Sequence, residues 1–176
     1  MDLKTLNKKT DAKVCVVGIG LNANMLYYIL TSSTEHEILM ADPRYDLPHA
    51  GKYINGVTSF KFRKPTYDLI KQLPLYSYQQ RTSYVCTTTD IGDGTYIGPS
   101  AVIDYKTVLG KSCWVSRGAT IGHDCKVGDN VFIGPGVTIC GSVEIGDNCY
   151  IGAGAVIYDK ISIDEQVIIR GGDVVK

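Results

Sequence analysis

Aliphatic residues recur at every sixth position through the second half of the chain. Fourteen such positions follow one another without an insertion: Ile91, Ile97, Ile103, Leu109, Val115, Ile121, Val127, Ile133, Ile139, Ile145, Ile151, Ile157, Ile163 and Ile169. The fifth position of each hexad is mostly small or apolar, and Gly or Asp often follows the aliphatic residue. A six-residue period fits neither a helix of about 3.6 residues per turn nor hairpins that reverse about every ten residues. The pattern predicts short strands joined by corners, with the fifth position and the next aliphatic residue both pointing inward.

This hexad pattern resembles that of the hexapeptide-repeat acyltransferases, in which three hexads form one triangular, left-handed coil. The resemblance implies a left-handed parallel β-helix, although parallel crossovers are normally right-handed. On such coils, residues eighteen positions apart stack at a spacing of about 4.8 Å.

One outward column of these coils is aromatic. It holds Tyr96, Trp114, Phe132 and Tyr150, whereas the other two faces hold mainly aliphatic, Thr and charged residues. Strands favour aromatic residues even on ordinary surfaces, which is one interpretation of the column. Four aromatic residues in register favour a covered surface instead. Because closed three-fold assembly is usual in the resembled family, we expect a homotrimer, with this column at the subunit interface or in the cofactor groove beside it.

The beginning of the chain shows the pattern of a strand, a turn and a helix. An apolar segment at residues 14–18 leads into the run G-I-G-L-N-A at residues 18–23, a G-x-G-x-x-A turn that opens an apparent helix through Leu30. Residues 38–41 predict a second strand that ends at Asp42, where a dinucleotide fold places the carboxylate that binds ribose. Backbone N–H groups at a helix N-terminus suit an anion. A purely structural strand-turn-helix fits the same residues, and the segment is too short for a complete doubly wound domain.

The segment between these two patterns is less informative. A helix is expected at residues 67–73, bounded by Pro65 and Pro74, and the polar residues 77–82 are a candidate linker. Residues 84–88 are a candidate first strand of the β-helix. We therefore expect two units: a small, Rossmann-like βαβ α/β unit at 1–88 and a left-handed parallel β-helix of hexapeptide repeats at 89–176.

Charge and cysteine usage exclude several classes of partner. Eighteen basic residues balance eighteen acidic ones with no long run of one sign, so the pattern of a nucleic-acid binder is missing. The six cysteines contain no C-x-x-C pair and are expected to be reduced. The stretch at 14–18 is too short for a signal peptide, and no run is long enough to span a membrane. We expect a cytoplasmic protein without a nucleic-acid or membrane partner.

The order of the two units, with one His-acid pair in the repeat, resembles bacterial sugar acyltransferases. These include sialic acid O-acetyltransferases and UDP-4-amino-sugar N-acetyltransferases of glycan biosynthesis. The resemblance implies acetyl-CoA as the acyl donor and a UDP-linked amino sugar as the acceptor. It places nucleotide-sugar contacts at Gly18, Gly20, Asn22 and Asp42. Family members usually show G-x-x-G-H-G at this turn, and Asn22 stands in the place of the customary His.

His123 matches the position of the family's catalytic base. It lies at a corner in the run I-G-H-D-C at residues 121–125, so its ring is expected to face outward. Histidine titrates near neutral pH, as a general base requires, and Asp124 is the candidate to orient it. A solvated corner histidine is the alternative. Gly141 lies one coil beyond His123 and Tyr105 one coil before it, and we expect Gly141 to leave a notch above the imidazole for the thioester carbonyl.

The resemblance also assigns the remaining site residues. It places the coenzyme at Phe132, Gly141, Ala153 and Gly171, and the acceptor at Ser116, seven residues before the histidine. The implied reaction is direct transfer, in which an amino or hydroxyl group loses its proton to His123 as it attacks acetyl-CoA.

Three other functions fit parts of this sequence pattern. A β-helical carbonic anhydrase needs three protein ligands for zinc, usually His, whereas the repeat contains only His123 and the other two histidines, His36 and His49, precede it. No metal is therefore expected. A sugar O-acetyltransferase and a non-catalytic trimeric scaffold both stay open as alternatives.

Overall fold

The computed structural model describes residues 13–18, 21–33, 37–43, 47–48 and 50–176. Gly20, His36 and His49 lie outside the described residues, as does the side chain of Asn22. The chain divides into two compact units, one within residues 4–77 and one that contains residues 78–176. This division lies at residue 77 rather than near Thr88, because the segment expected to be a linker already forms the first strand of the repeat.

The N-terminal unit contains a small parallel sheet. Its strands are β1 (Val14–Val17), β2 (Ile38–Ala41) and β3 (Lys52–Asn55), in the order β2-β1-β3. Helix α1 (Leu21–Ser33) connects β1 to β2. All four residues of the central strand are fully buried, which explains its unbroken apolar sequence. Strands β1 and β2 lie where the sequence predicted strands, whereas β3 had no prediction.

The second helix begins earlier than expected. Helix α2 spans Phe60–Ile70, with Pro65 inside it, whereas the sequence predicted residues 67–73 with Pro65 as the boundary. A proline in a helix removes the bond to the carbonyl four residues earlier. Here that carbonyl belongs to Lys61, and both residues are exposed, so water can bond the carbonyl. The helix ends before Pro74, and Leu75 then forms an isolated parallel bridge with Tyr53 of β3.

The second unit is a parallel β-solenoid of two-residue strands that recur every six residues. The strands are β4 (Tyr78–Gln79), β5 (Tyr84–Val85), β6 (Asp90–Ile91), β7 (Tyr96–Ile97), β8 (Val102–Ile103), β9 (Val108–Leu109), β10 (Trp114–Val115), β11 (Thr120–Ile121), β12 (Lys126–Val127), β13 (Phe132–Ile133), β14 (Thr138–Ile139), β15 (Glu144–Ile145), β16 (Tyr150–Ile151), β17 (Val156–Ile157), β18 (Ser162–Ile163), β19 (Ile168–Ile169) and β20 (Val174–Val175). They form three parallel sheets, in the orders β19-β16-β13-β10-β7-β4, β20-β17-β14-β11-β8-β5 and β18-β15-β12-β9-β6.

The eighteen-residue coil predicted from the sequence is confirmed by the strand register. Trp114 pairs with Tyr96 on one side and with Phe132 on the other, each eighteen positions away. The aliphatic residue of nearly every strand points inward and is buried. Many corners contain a residue in the left-handed region of backbone conformation. The residues other than glycine that adopt it are Ser100, Lys106, Ser112, Asp124, Asn130, Ser142, Asn148, Lys160 and Gln166. Small polar residues and glycine predominate there because they tolerate this conformation better than bulky or β-branched residues do.

Three of the four residues of the aromatic column are buried without any partner chain. Trp114 is only 3% exposed, Tyr96 and Phe132 are also buried, and Tyr150 is half-buried. The ring centroids are 4.2 Å apart for the tilted pair of Tyr96 and Trp114 and 4.6 Å apart for the stacked pair of Phe132 and Tyr150. The prediction that this column needs a subunit partner to cover it is therefore wrong, because the fold of one chain already removes most of it from water.

Within the described part of the chain, neither helix is long and apolar enough to cross a bilayer.

Candidate active site

His123 lies at the corner between β11 and β12, with its side chain in solvent. The His123 and Asp124 side chains are 58% and 49% exposed, and Asp124 Oδ2 lies 2.8 Å from His123 Nδ1. Asp124 has a φ of +55°, the left-handed conformation that turns the chain at this corner. A carboxylate accepts a hydrogen bond from the nitrogen that it contacts, so Nδ1 is assigned as the donor, and Nε2 of the neutral ring keeps its lone pair. The expected contact between these sequence neighbours is thus present.

Backbone bonds to the coils on both sides hold this corner. The Asp124 N–H donates to the Tyr105 carbonyl at 2.9 Å, and the Ser142 N–H donates to the His123 carbonyl at 2.8 Å. The imidazole is therefore carried by a rigid part of the solenoid rather than by a free loop.

Gly141 lies directly against the imidazole. A Cβ atom built on Gly141 would lie 2.6 Å from His123 Nε2 and 2.7 Å from Cε1, far inside contact distance. The predicted stacking of Gly141 on His123 is confirmed. The expected open notch is not: the ring itself occupies the space that the missing side chain leaves. Gly141 therefore determines where Nε2 can lie.

The other predicted residues of the repeat lie on other parts of the solenoid. Ser116, Ala153 and Gly171 follow β10, β16 and β19, so they share the preceding edge. Ser116 precedes His123 by seven residues and lies one edge earlier on the coil. Phe132 belongs to the aromatic column, where it stacks on Tyr150. A single chain thus brings together His123, Asp124 and Gly141, and it leaves the other four residues on different edges or faces.

Two of the predicted nucleotide-binding residues, Gly18 and Asp42, lie at the carboxyl ends of the small sheet. Gly18 follows β1, and Asp42 follows β2. Gly18 has a φ of +144°, and a Cβ there would lie 2.9 Å from Val57 Cγ2, so the turn requires glycine. Gly56, after β3, is equally enclosed by Val16 and Ala23. The order of the strands reverses between β1 and β3, the position at which open parallel sheets bind ligands.

A buried polar network at the end of β3 was not predicted. The Asn55 amide accepts the Val57 N–H at 3.0 Å and donates to the Arg63 carbonyl at 3.3 Å, while Arg63 Nη1 donates to the Val57 carbonyl at 2.6 Å. These bonds hold Val57 against Gly18. The only sequence signal was Asn-Gly after a short apolar run, which indicates a strand that ends in a turn.

The cysteine nearest to His123 in sequence is not built as a nucleophile. Cys125 is buried, and burial raises the pKa of its thiol. The Sγ donates to the Cys140 carbonyl at 3.1 Å. Because a reactive cysteine requires the thiolate, this arrangement makes Cys125 a poor nucleophile. Among the described residues, no group of three or more His, Cys, Asp or Glu side chains could hold a metal ion.

Comparison with known families identifies the repeat. Residues 106–141 match the family described as bacterial transferase hexapeptide (six repeats), and residues 125–159 match the hexapeptide repeat of succinyl-transferase. No curated protein sequence matches the chain.

Solved structures share the fold over nearly the whole chain. One is a mutant of perosamine N-acetyltransferase from Caulobacter crescentus in complex with CoA and GDP-perosamine, with 19% identity, a TM-score of 0.81, and coverage of 93% of this chain and 88% of that chain. Another is the acetyltransferase domain of PglB from Neisseria gonorrhoeae FA1090, with 22% identity, a TM-score of 0.82, and coverage of 93% and 91%. That domain is also solved with acetyl coenzyme A. WeeI from Acinetobacter baumannii AYE has 16% identity, a TM-score of 0.66, and coverage of 92% and 93%.

Proposed function

We propose that this chain, which carries hexapeptide repeats of the bacterial transferase type and shares the fold of sugar acetyltransferases, transfers the acetyl group of acetyl-CoA to the amine of a nucleotide-linked amino sugar. The observation that carries the proposal is the His123–Asp124 pair, with Nδ1 on the carboxylate and Nε2 at the edge of Gly141. The ligands of the solved structures support the two substrate classes, since one contains CoA and GDP-perosamine and another contains acetyl coenzyme A.

His123 serves as the general base in the proposed reaction. The sugar amine attacks the thioester carbonyl, so that an N–C bond forms and the C–S bond breaks. His123 Nε2 accepts the proton that the amine loses and returns it to the departing thiolate. Asp124 stabilises the imidazolium between these two transfers. A positioned general base of this kind accelerates a reaction by about 10²- to 10⁴-fold.

The N-terminal unit is proposed to bind the nucleotide. The turns at Gly18 and Gly56 lie at the carboxyl edge of the sheet, where the order of the strands reverses. Asp42 follows the adjacent strand, the position at which a ribose would bind. Gly20 and Asn22 remain part of this prediction. The sequence resemblance favours UDP as the nucleotide, whereas one solved structure contains GDP-perosamine. The proposal therefore extends to UDP-, GDP- and dTDP-linked sugars.

The separation of the predicted residues on the solenoid favours an active site formed between two copies of the chain. Ser116, Ala153 and Gly171 lie one edge away from His123, and a second copy can bring this edge to the imidazole. The face between these edges is uncharged, and its outward residues are Tyr84, Val102, Thr120, Thr138, Val156 and Val174. We therefore propose a cytoplasmic homotrimer that packs through this face rather than through the aromatic column.

The decisive experiment measures release of CoA thiol from acetyl-CoA with UDP-, GDP- and dTDP-linked 4-amino sugars and with matched 4-hydroxy sugars. We expect release with one or more amino sugars only. Release with hydroxy sugars alone would instead identify an O-acetyltransferase. No release with any sugar, together with no binding of CoA, would contradict the proposal and leave a non-catalytic scaffold.

A further inference from the structure

Two buried threonines make the same pair of hydrogen bonds at two different corners of the solenoid. Thr107 Oγ1 donates to the Gly122 carbonyl at 2.6 Å and accepts the Cys125 N–H at 3.2 Å. Thr95 Oγ1 bonds the Gly110 carbonyl and the Cys113 N–H in the same way, at 3.1 Å each. Both threonines are 0% exposed. The two side chains are therefore alike in burial and in this pair of bonds.

The two corners differ in what they carry. Gly122 immediately precedes His123, and Cys125 immediately follows Asp124, so the Thr107 hydroxyl joins both ends of the corner that bears the proposed base. The corner joined by Thr95 carries Lys111 and Ser112 and has no part in the proposed site. Thr107 thus supports the corner that carries His123, whereas Thr95 supports a corner outside the proposed site.

We infer that Thr107 is a positioning residue that sets the orientation of the His123 imidazole from inside the solenoid. The inference rests on the proposed role of His123 as the base. Thr107 reaches no substrate, because its hydroxyl lies in the core and acts only through the backbone on either side of the histidine and aspartate.

Loss of the Thr107 hydroxyl should disturb the imidazole because the ring is closely packed between Gly141 and Asp124. Without the hydroxyl, the part-buried Gly122 carbonyl and the buried Cys125 N–H lose this partner, and a buried polar group without a partner is costly. The corner then rotates toward new partners and carries the ring with it. The ring already lies against Gly141 on one side and Asp124 on the other, so a small rotation breaks one of these two contacts. Misplacement of a catalytic group by about 1 Å can cost about 10²-fold in rate.

The test compares Thr107→Val with Thr95→Val in the full chain. Both changes keep the shape of the side chain and remove the hydroxyl. We expect the two variants to lose similar thermal stability. We expect Thr107→Val alone to lose at least about tenfold in kcat, with the KM for acetyl-CoA within about twofold of the original. Equal kcat values in the two variants would overturn the inference.

A spectroscopic measurement separates this inference from the proposed function. The ¹⁵N chemical shifts of the His123 ring report which nitrogen carries the proton, whether or not a substrate is known. We expect Thr107→Val to change the proportion of the two tautomers and Thr95→Val to leave it unchanged. Unchanged shifts in both variants would refute the positioning role even if the protein proves to be an acetyltransferase.

Two conservative replacements cover the case in which Thr107→Val does not fold. Thr107→Ser keeps both bonds and should restore kcat and the ¹⁵N shifts. Thr107→Cys should give intermediate values, because thiols in this chain already bond carbonyls at equivalent places, as Cys113 does to Gly128 at 3.1 Å. Thr107→Cys with unchanged kcat and shifts would count against the inference.

Discussion

The side chain of His123 combines exposure with a fixed orientation. More than half of the ring is open to solvent, yet Nδ1 is held by Asp124 and Nε2 lies at Gly141. A base needs access to the proton that it removes and a defined direction in which to remove it. Both requirements are met by a corner residue whose aspartate neighbour adopts the left-handed conformation.

Replacement of His123 by Ala should abolish most of the proposed activity and leave the fold intact. The expected loss in kcat is about 10²- to 10⁴-fold, the usual contribution of a general base. The melting temperature should change little, because an exposed corner side chain contributes little to stability. Steady-state kinetics with saturating substrates and a thermal melt provide the measurement. Asp124→Asn is the graded control and should lose less, and wild-type kcat in His123→Ala would refute the mechanism.

Gly141→Ala should impair the imidazole rather than only the coenzyme site. All three atoms nearest to the added Cβ belong to the His123 ring, so the ring must move. We expect kcat to fall by at least about tenfold, as misplacement of a catalytic group predicts. In the His123→Ala background the same change should have almost no further effect on CoA affinity or on thermal stability. Additive effects in this double-mutant cycle would show that Gly141 acts independently of the ring.

At the scale of elements, the solenoid combines strands that repeat every six residues with corners whose residues differ from one coil to the next. Each coil stacks on the next through parallel pairs, and the inward residues of adjacent coils are buried together. The aromatic column adds ring contacts on one sheet, stacked for Tyr78 with Tyr96 and for Phe132 with Tyr150, and tilted for Tyr96 with Trp114. This sheet is therefore a stabilising element of the single chain.

Trp114→Ala should destabilise the folded chain by about 3–5 kcal/mol, the cost of truncating a buried tryptophan. Ile168→Ala is the matched control from the same column, because Ile168 is 50% exposed and should cost about 0.5 kcal/mol or less. Urea unfolding followed by circular dichroism measures both. Similar small losses for the two variants would show that the column is not covered in solution as it is in this structure.

The carboxyl edge of the small sheet is a second element with a testable role. Asp42 follows β2 beside the turn at Gly18, where a ribose hydroxyl would bind under the proposed function. Asp42→Ala should raise the KM for the sugar nucleotide by about tenfold, the value of one charge-assisted hydrogen bond. The affinity for acetyl-CoA, measured by calorimetry, should stay the same. An unchanged acceptor KM would place the nucleotide elsewhere.

At the scale of the whole molecule, the proposed function assigns residues of the site to two edges of the solenoid. The edge of the solenoid that carries Ser116, Ala153 and Gly171 is separated from the His123 edge by an uncharged sheet face. The third face carries charged residues and an ion pair between Lys126 and Glu144 at 2.6 Å, so it remains well solvated. This difference between the faces selects the surface for the proposed assembly.

Thr138→Arg should dissociate the proposed trimer and reduce kcat together with it, because a charge would be buried at the centre of the uncharged face. Ser162→Arg is the control on the charged face and should keep both the assembly and the activity. Light scattering coupled to size-exclusion chromatography gives the mass of each variant. A wild-type monomer with full activity would contradict the shared site.

The six-residue period by itself predicted the short strands, because a repeat of one aliphatic and one small residue can bury both only on short, cornered strands. The resemblance to hexapeptide-repeat proteins added three hexads per coil, and the register of the stacked coils then followed from counting. The same arithmetic placed Gly141 on His123, since coil neighbours are eighteen residues apart. Strands β1 and β2 and the carboxylate of Asp42 at the second strand end also followed from local pattern, because apolar runs and glycine turns act within a few residues.

Only the tertiary structure decided the features that depend on contacts between distant side chains. An outward aromatic position does not reveal whether its own chain covers it, and this is why the sequence led to a subunit interface or a cofactor groove as the cover for Trp114. Pro65 is tolerated inside α2 because Pro65 and Lys61, whose carbonyl it cannot bond, are both exposed. No local rule contains that information. The filled space at Gly141 depends on the tilt of one ring, and the role of Thr107 depends on a hydroxyl that meets a corner fifteen residues later in the chain. Sequence spacing specifies which residues stack, whereas three-dimensional packing decides which atoms of those residues touch.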